Sequence, residues 1–169
     1  MQPRRHPLRR GLDLRHILGL LLGLATLAAI ALPLWFSQAS VTLDGAARLL
    51  VQDLRSAQNL AVVTARDTVV SFDRSGYRVT DGAGEGVINP RTGHPFTRHW
   101  PRDAVFRGVE LVAIELEGGA HSVTFDRTGY VRPGGRVHLG FRGAERTVAI
   151  ESPRGLLSIP GLDEHDDGR

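Results

Sequence analysis

The sequence predicts an α+β protein in which a long N-terminal helix, first membrane-spanning and then amphipathic, packs on an antiparallel β-sheet domain. Three patterns support this fold class. An uncharged apolar run occupies residues 17–36, apolar residues then recur every three or four positions as far as Arg66, and alternation with a period of two follows from Thr68. A spacing of three to four is typical of a helix and a period of two of a strand, so the helix comes first and the sheet second.

The apolar run Ile17–Phe36 contains 20 residues without a charge, enough for a helix to cross the roughly 30 Å of hydrocarbon in a bilayer. Residues 1–16 hold five arginines and one aspartate. Because positively charged flanks stay in the cytoplasm, we expect a cytoplasmic N-terminus and a domain on the other side. A plain signal anchor and a secretory signal cleaved near Ala39 are alternatives, although the run exceeds the roughly 7 to 15 apolar residues usual in cleaved signals.

The basic excess belongs to the N-terminus and not to the predicted domain. The whole chain has a net charge of +3, and residues 1–16 contribute five arginines against one aspartate, so the remainder carries −1. Nucleic-acid binding needs clustered positive charge, and no nucleic-acid partner is therefore expected. All 21 basic residues are arginine and there is no cysteine, which excludes lysine phosphate loops, Schiff-base chemistry and thiolate metal sites.

The segment after the apolar run predicts an amphipathic helix from about Leu43 to Arg66, continuous with or separate from the first helix. One apolar stripe runs along it, and Asp53, Arg55 and Gln58 are expected to lie off that stripe. Such a stripe packs on a sheet in an α+β domain. The stripe consists of Ala46, Ala47, Leu50, Leu54, Ala57, Ala61 and Ala65.

A repeated element predicts two β-hairpins. The pattern Phe-Asp-Arg-Ser/Thr-Gly-Tyr occurs at Phe72–Tyr77 and again at Phe125–Tyr130, each time after a strand-like run rich in Val, Ser and Thr. The aspartate side chain begins such a turn by accepting a hydrogen bond from a backbone N–H of the same turn. Glycine adopts the positive φ that the turn requires. Calcium binding at Asp73 or Asp126 is not expected, because neither turn supplies the several oxygen ligands that the ion requires.

The remaining strands are bounded by Gly-rich turns. Residues 81–104 are rich in Gly and Pro and predict a surface excursion, in which Trp100 or Phe96 contacts a partner. The predicted strands are Thr68–Phe72, Tyr77–Thr80, Val109–Leu116, Ser122–Phe125, Arg136–Phe141, Arg146–Glu151 and Leu156–Ile159.

No motif in the sequence predicts catalysis, a cofactor or a metal. The nucleophile elbow Gly-x-Ser-x-Gly does not occur, and the glycines at 82, 84 and 86 are followed by no lysine that would make a phosphate loop. His94 and His99 share one loop without a helical frame, and His138 is expected to point from its strand into solvent. The protein is therefore expected not to be an enzyme.

The segment Gly11-Leu12-Asp13-Leu14-Arg15-His16, with the apolar run behind it, resembles the N-terminus of type IV pilins and pseudopilins. The resemblance implies that prepilin peptidase cuts after Gly11 and that Leu12 becomes the methylated first residue. Pro33 falls where the family carries a helix-kinking proline. His16 stands where the family carries a glutamate, which in assembly pairs with the N-terminal amine of a neighbouring subunit. A protonated histidine cannot make that pairing, and a neutral one makes it only weakly.

The segments 53–61, 123–129 and 148–159 are similar to the H-type (GspH/FimT-like) minor pseudopilins of type II secretion. This implies a non-enzymatic filament subunit at or near the tip, with other pseudopilins, prepilin peptidase and the inner membrane as partners and a periplasmic C-terminal domain. A minor type IV pilin acting in pilus assembly or DNA uptake is an alternative, as is an unrelated membrane-tethered periplasmic domain.

Five segments follow from these patterns. Residues 1–11 are predicted to be a basic leader peptide and 12–36 a transmembrane helix. Residues 37–66 continue as an amphipathic helix, and 67–160 form the antiparallel β domain. Residues 161–169 are predicted to be an acidic, flexible tail.

Overall fold

The computed structural model describes residues 14–162, with the side chains of 17–26 and 39–162. The chain divides into two compact units, with the boundary between Ser37 and Gln38. In the described part of the chain, no helix is both long enough and apolar enough to cross a bilayer. The span predicted for residues 17–36 lies partly outside the residues whose side chains are described.

Helix α1 extends over Leu14–Thr64, a length of 51 residues. It ends two residues before the predicted Arg66, because Ala65 adopts a left-handed conformation with φ of 52°. The N–H of Arg66 donates to the Ala61 carbonyl at 3.2 Å and that of Ala65 to the Val62 carbonyl at 3.3 Å. This pair of bonds is the Schellman motif, which satisfies the last carbonyls of a helix. The end was mispredicted because glycine, the usual residue here, is replaced by alanine.

The β domain is antiparallel, as the sequence predicted, and consists of two sheets. The first sheet has the order β3-β2-β1-β5-β6 and the second the order β4-β7-β8-β9. Strands of the first sheet are β1 Thr68–Asp73, β2 Gly76–Asp81, β3 Thr97–His99, β5 Ser122–Phe125 and β6 Val131–Arg132. Strands of the second sheet are β4 Glu110–Leu116, β7 Gly135–Phe141, β8 Ala144–Glu151 and β9 Leu156–Ser158.

Both predicted hairpins are present. Strands β1 and β2 are joined by a turn of two residues, Arg74 and Ser75. Asp73 and Gly76, on either side of this turn, face each other in the ladder. Strands β5 and β6 pair through Phe125 and Val131. The chain changes from the second sheet to the first between β4 and β5, through a short 3₁₀ turn at Glu117–Gly119.

One hydrophobic cluster joins the second half of α1 to the inner faces of both sheets. The predicted helical stripe is confirmed except at Ala65, which lies beyond the helix end and is exposed. The buried members of the stripe are Ala46, Ala47, Leu50, Leu54, Ala57 and Ala61. The alanines in this stripe allow the helix to approach the strands closely, so the larger Val, Leu and Phe side chains of the sheets fill the space between.

A chain that begins at Gln38 is expected to fold without the preceding residues. All described members of the hydrophobic cluster lie between Leu43 and Leu162, and the shortened chain therefore keeps every one of them. Urea unfolding followed by circular dichroism should show one cooperative transition. Leu50→Ala should shift it by about 2 to 5 kcal/mol, the usual cost of such a cavity. A non-cooperative profile would contradict the expectation.

Candidate functional site

The first exposed feature is an apolar stretch of α1, Ile17–Leu24, which we name the apolar segment. Its side chains point to all sides of the helix, since residues at consecutive positions are all exposed. Helices that are apolar all round are normally covered by a protein or a lipid. The exposed fractions of the six large side chains are 44% for Ile17, 66% for Leu18, 72% for Leu20, 56% for Leu21, 68% for Leu22 and 64% for Leu24.

Thr26, two residues beyond the apolar segment, has its hydroxyl bonded to the helix backbone. The Thr26 hydroxyl donates to the carbonyl of Gly23 at 2.9 Å and lies 3.1 Å from that of Leu22. A hydroxyl that bonds to the preceding turn presents its methyl group outwards. The surface of α1 from Ile17 to Thr26 is thus apolar throughout.

The four residues predicted to act in processing and assembly are not tested by these contacts. Gly11 and Leu12 lie outside the described residues. His16 and Pro33 lie within the span of α1, but their side chains are not among those described. Their roles stay predictions.

The second feature is a buried polar cluster on the domain half of α1. Asp53 is 3% exposed although the sequence placed it off the apolar stripe. Its Oδ2 accepts a hydrogen bond of 2.6 Å from the Tyr77 hydroxyl and lies 3.4 Å from Nη2 of Arg98. Burial is the main cause that raises the pKa of Tyr77 well above its ordinary value, and the charge of Asp53 adds to it. Tyr77 therefore stays a neutral donor.

Arg98 links this cluster to the long connection before β4. Its Nη1 lies 3.2 Å from Oδ2 of Asp103, and Oδ1 of Asp103 accepts bonds from the backbone N–H groups of Val105 at 2.8 Å and Phe106 at 3.1 Å. Burial opposes ionisation of Asp103, but these donors and the guanidinium outweigh it and lower its pKa. One arginine thereby ties α1 to the loop.

An aromatic row packs beside the polar cluster, and it corrects the interpretation of residues 81–104. Phe72, Tyr77, Trp100 and Phe106 meet edge to face, with successive ring centroids 6.3, 5.9 and 5.7 Å apart. Trp100 is fully buried and Phe96 is 3% exposed, so the prediction that they contact a partner is wrong. Both belong to the core, and the excursion is held down by its own aromatic side chains.

The glycines at 82, 84 and 86 belong to a tight turn. The Oδ1 atom of Asp81 accepts bonds from the backbone N–H groups of Ala83 at 3.0 Å and Glu85 at 2.9 Å. Backbone N–H groups are what a phosphate loop offers to its ligand. Here they are already satisfied by a carboxylate of the same turn.

The two hairpin turns have the aspartate geometry that the repeat predicted. Oδ1 of Asp73 accepts the Ser75 N–H at 2.7 Å, and Oδ1 of Asp126 accepts the Thr128 N–H at 2.8 Å. Hydrogen bonds from the side chains of Ser75 and Thr128 are the main causes that lower the pKa of the two aspartates below 3.8.

These two turns are expected to lose stabilisation in acid. A carboxyl whose pKa is lowered by folding contributes stability that is complete above its unfolded pKa and disappears below its folded pKa. Asp73→Asn/Asp126→Asn keeps an acceptor but cannot ionise. In urea unfolding, the gap in stability between the wild type and this variant should be constant above about pH 5 and shrink below about pH 4. A gap independent of pH would contradict this assignment.

His138 does not point into solvent as predicted. Its side chain is 16% exposed and lies among polar neighbours on the outer face of the second sheet. Nδ1 is 2.8 Å from Glu145 Oε1 and 3.1 Å from Thr147 Oγ1, and Nε2 is 3.5 Å from Glu115 Oε2. The neighbours come from β4 and β8, which flank β7 in the sheet. These contacts could be predicted only from the order of the strands in the sheet, because the neighbours of His138 lie on two other strands.

Within residues 17–26 and 39–162, no group of three or more His, Asp or Glu side chains is arranged to hold a metal ion. His94 and His99 are exposed in the long connection.

Asp53 and Arg98 are the residues that the sequence interpretation missed. A signal for Asp53 was present, because it follows Leu50 by three positions and precedes Ala57 by four. That spacing places it on the buried face of the helix. Arg98 gave no such signal, since it lies in a short strand inside an irregular segment.

Comparison with known proteins gives one family and two solved structures. Residues 46–153 match the family model described as Type II transport protein GspH. The type IV minor pilin FimU of Pseudomonas aeruginosa PAO1 is 18% identical, with a TM-score of 0.48 over 69% of this chain and 87% of FimU. The minor pseudopilin EpsH from the type 2 secretion system of Vibrio cholerae is 17% identical, with a TM-score of 0.47 over 70% of this chain and 98% of EpsH. No curated protein matches the sequence.

Proposed function

Because the chain belongs to the family of the type II transport protein GspH and is thus a pilus-like minor subunit, we propose that it is built as a minor pseudopilin into the filament of a type II secretion system. In the filament, it packs against other subunits and positions them. In this proposal the chain itself catalyses no reaction.

The observation that carries the proposal is the exposure of the apolar segment Ile17–Leu24. Apolar surface left in water costs about 25 cal/mol per Å², so a helix of this kind needs a cover. The cover we propose is lipid before assembly and the apolar helices of other pseudopilins afterwards. Gly19 and Gly23 have open space where a side chain would be, and small residues of this kind permit close approach of helices in a membrane.

The interior of the domain supports a structural role. The buried polar groups around Asp53 bind one another across α1, β2 and the long connection. Hydrogen bonds and ion pairs of this kind inside a core hold its elements in one arrangement, although Nε of Arg98 has no partner among the described residues. A domain held in one arrangement suits a subunit that occupies a fixed position in a filament.

The cellular arrangement forms part of the proposal. We infer that residues 1–11 are removed by prepilin peptidase after Gly11, that Leu12 is then methylated, and that the apolar helix is held in the inner membrane with the domain in the periplasm. Five arginines before the apolar run favour this orientation.

His16 favours a position at or near the filament tip. A carboxylate here would attract the positive N-terminal amine of a neighbouring subunit, whereas a neutral imidazole carries no charge and an imidazolium repels the amine. A first or capping subunit has no need of that pairing. His16→Ala and His16→Glu should therefore secrete as the wild type does. Loss of secretion in His16→Ala with full recovery in His16→Glu would contradict a capping position.

The function is tested in cells that secrete through the system. Leu21→Arg places a charge within the apolar segment, where arginine costs about 2.5 to 3.5 kcal/mol in a membrane, and secretion should fall by about tenfold or more. Val63→Arg is the matched control, because Val63 is 83% exposed on the domain half of α1. Equal secretion by the two variants would contradict the proposal.

Processing is tested on the same membrane extracts. Intact mass should place the first residue at Leu12 with one methyl group. Gly11→Val should leave the leader attached, whereas Gly11→Ala should be cut more readily, since alanine is nearly as small as glycine. A first residue near Ser40 would indicate an ordinary signal peptide and an uncut Met1 a plain anchor, and either result would contradict the processing step.

A further inference from the structure

A groove runs between the domain half of α1 and strand β9. Its volume is about 360 Å³, and it is lined by Arg48, Val51, Gln52, Arg55, Leu157 and Ile159. The floor is apolar, with Val51, Leu157 and Ile159 all buried at 7% exposure or less. The two arginines stand on the rim and are exposed.

Arg48 and Arg55 have no carboxylate partner among the described residues. Arg55 donates from Nη2 only to the Leu157 carbonyl, at 3.4 Å. The nearby acidic residues of α1 are committed to other arginines, Asp44 to Arg146 and Asp53 to Arg98. The groove therefore presents two positive charges above an apolar floor, which suits a short acidic segment.

Such a segment follows the groove directly in the chain. Ile159 lines the groove, and Leu162 packs partly buried against the core, with its N–H donated to the Ile159 carbonyl at 3.0 Å. Residues 163–169, which follow Leu162 and lie outside the described residues, read Asp-Glu-His-Asp-Asp-Gly-Arg. They hold four carboxylates against one arginine.

The segment is long enough to span the separation between the two arginines. Extended chain covers about 3.3 to 3.6 Å per residue, so residues 163–167 extend up to about 17 Å from Leu162. Arg48 and Arg55 are seven residues apart, which is about 10 Å along a helix. Because the segment is tethered within a few residues of the groove, its effective concentration there is in the millimolar range.

We propose that residues 163–167 bind in this groove and pair their carboxylates with Arg48 and Arg55. The acidic segment then covers the positive part of the α1 surface within the same molecule. The contact forms in the isolated protein, whether or not it assembles into a filament. Exposed ion pairs are individually weak and are screened by salt, so the cover is displaceable.

The test uses paired nitroxide labels in the full chain, purified in detergent. The sequence has no cysteine, so Asn59→Cys and Gly168→Cys give two unique labels. Asn59 is exposed one turn beyond Arg55 and does not line the groove. Double electron–electron resonance measures the distance between the two labels. Its distribution should contain a narrow component at short distance, from molecules in which the segment is bound. That component should disappear in Arg48→Gln/Arg55→Gln and at about 1 M salt, where the screening length falls to about 3 Å.

Arg78→Gln/Arg127→Gln is the matched control, because both arginines are exposed and outside the groove; it should leave the short component unchanged. Charge reversal of Arg48 and Arg55 to Glu should remove the component, and arginines at 163, 164, 166 and 167 in that background should restore it. A broad distribution identical in all variants would overturn the proposal. So would loss of the short component on dilution with unlabelled protein, since the segment would then bind a second copy.

Discussion

Gly135→Ala is expected to lower the free energy of unfolding by about 3 kcal/mol or more, through strain and overpacking together. Gly135 begins β7 between Leu116 of β4 and Ile150 of β8. Its φ is +147°, and a Cβ there would lie 2.2 Å from the Glu115 carbonyl oxygen and 2.7 Å from the Leu116 Cα. The obstructing atoms are backbone, so β4 must move away from β7 to admit a methyl group.

Two other glycines separate the causes in the same urea unfolding experiment. Gly143 has φ of +81° and no atom within 4 Å of the place that a Cβ would take, and Gly86 has neither a positive φ nor a close neighbour. Gly143→Ala should therefore cost about 1 to 2 kcal/mol from the left-handed conformation alone. Gly86→Ala should stay within about 0.5 kcal/mol of the wild type. Equal losses at Gly135 and Gly143 would mean that the close approach of β4 contributes nothing.

Local patterns were enough to predict seven of the nine strands in the described part of the chain. The two short strands, β3 Thr97–His99 and β6 Val131–Arg132, were not predicted. The alternation of Val, Thr and Phe together with the Asp–Gly turns predicted both hairpins. The predicted and observed edges of the longer strands differ by at most two residues. These signals work because a turn aspartate and a positive-φ glycine act within four residues. Asp73 and Asp126 accept their bonds from residues two positions ahead.

The division into two sheets could not be predicted in the same way. Strands β4 and β5 follow each other closely in sequence but belong to different sheets. The choice depends on which edge each strand meets in the folded chain, β7 for β4 and β1 for β5. No local propensity encodes that choice, because strand preference reflects packing partners.

Irregular segments are misleading for a related reason. Residues 81–104 show neither helical nor strand periodicity, and this was interpreted as surface exposure. Phe96 and Trp100 are nevertheless buried, because irregular backbone can carry large aromatic side chains into a core without any repeat. Two large aromatic residues in a small domain were themselves the better signal, since such residues usually supply core area.

Asp53→Ala is expected to destabilise the domain by roughly 3 kcal/mol, the low end of the range for breaking a buried ion pair. The substitution leaves the Tyr77 hydroxyl, on a side chain 2% exposed, without its acceptor. It also removes one of the two carboxylates around Arg98. We expect a loss at the low end of this range because the Arg98 side chain is 27% exposed and keeps its ion pair with Asp103.

The size of the loss depends on which groups remain unpaired, and a short series of variants measures this by urea unfolding. Asp53→Asn retains an acceptor for Tyr77 and should cost about 1 kcal/mol, as should Tyr77→Phe, which removes one hydrogen bond. In Asp53→Ala/Tyr77→Phe no hydroxyl is left unsatisfied, so the double variant should lose less than the sum of its single changes. Gln52→Ala, at the exposed neighbouring position, should change stability by less than about 0.5 kcal/mol. Strict additivity would show that Asp53 and Tyr77 act independently, and the loss would then have to come from Arg98 alone.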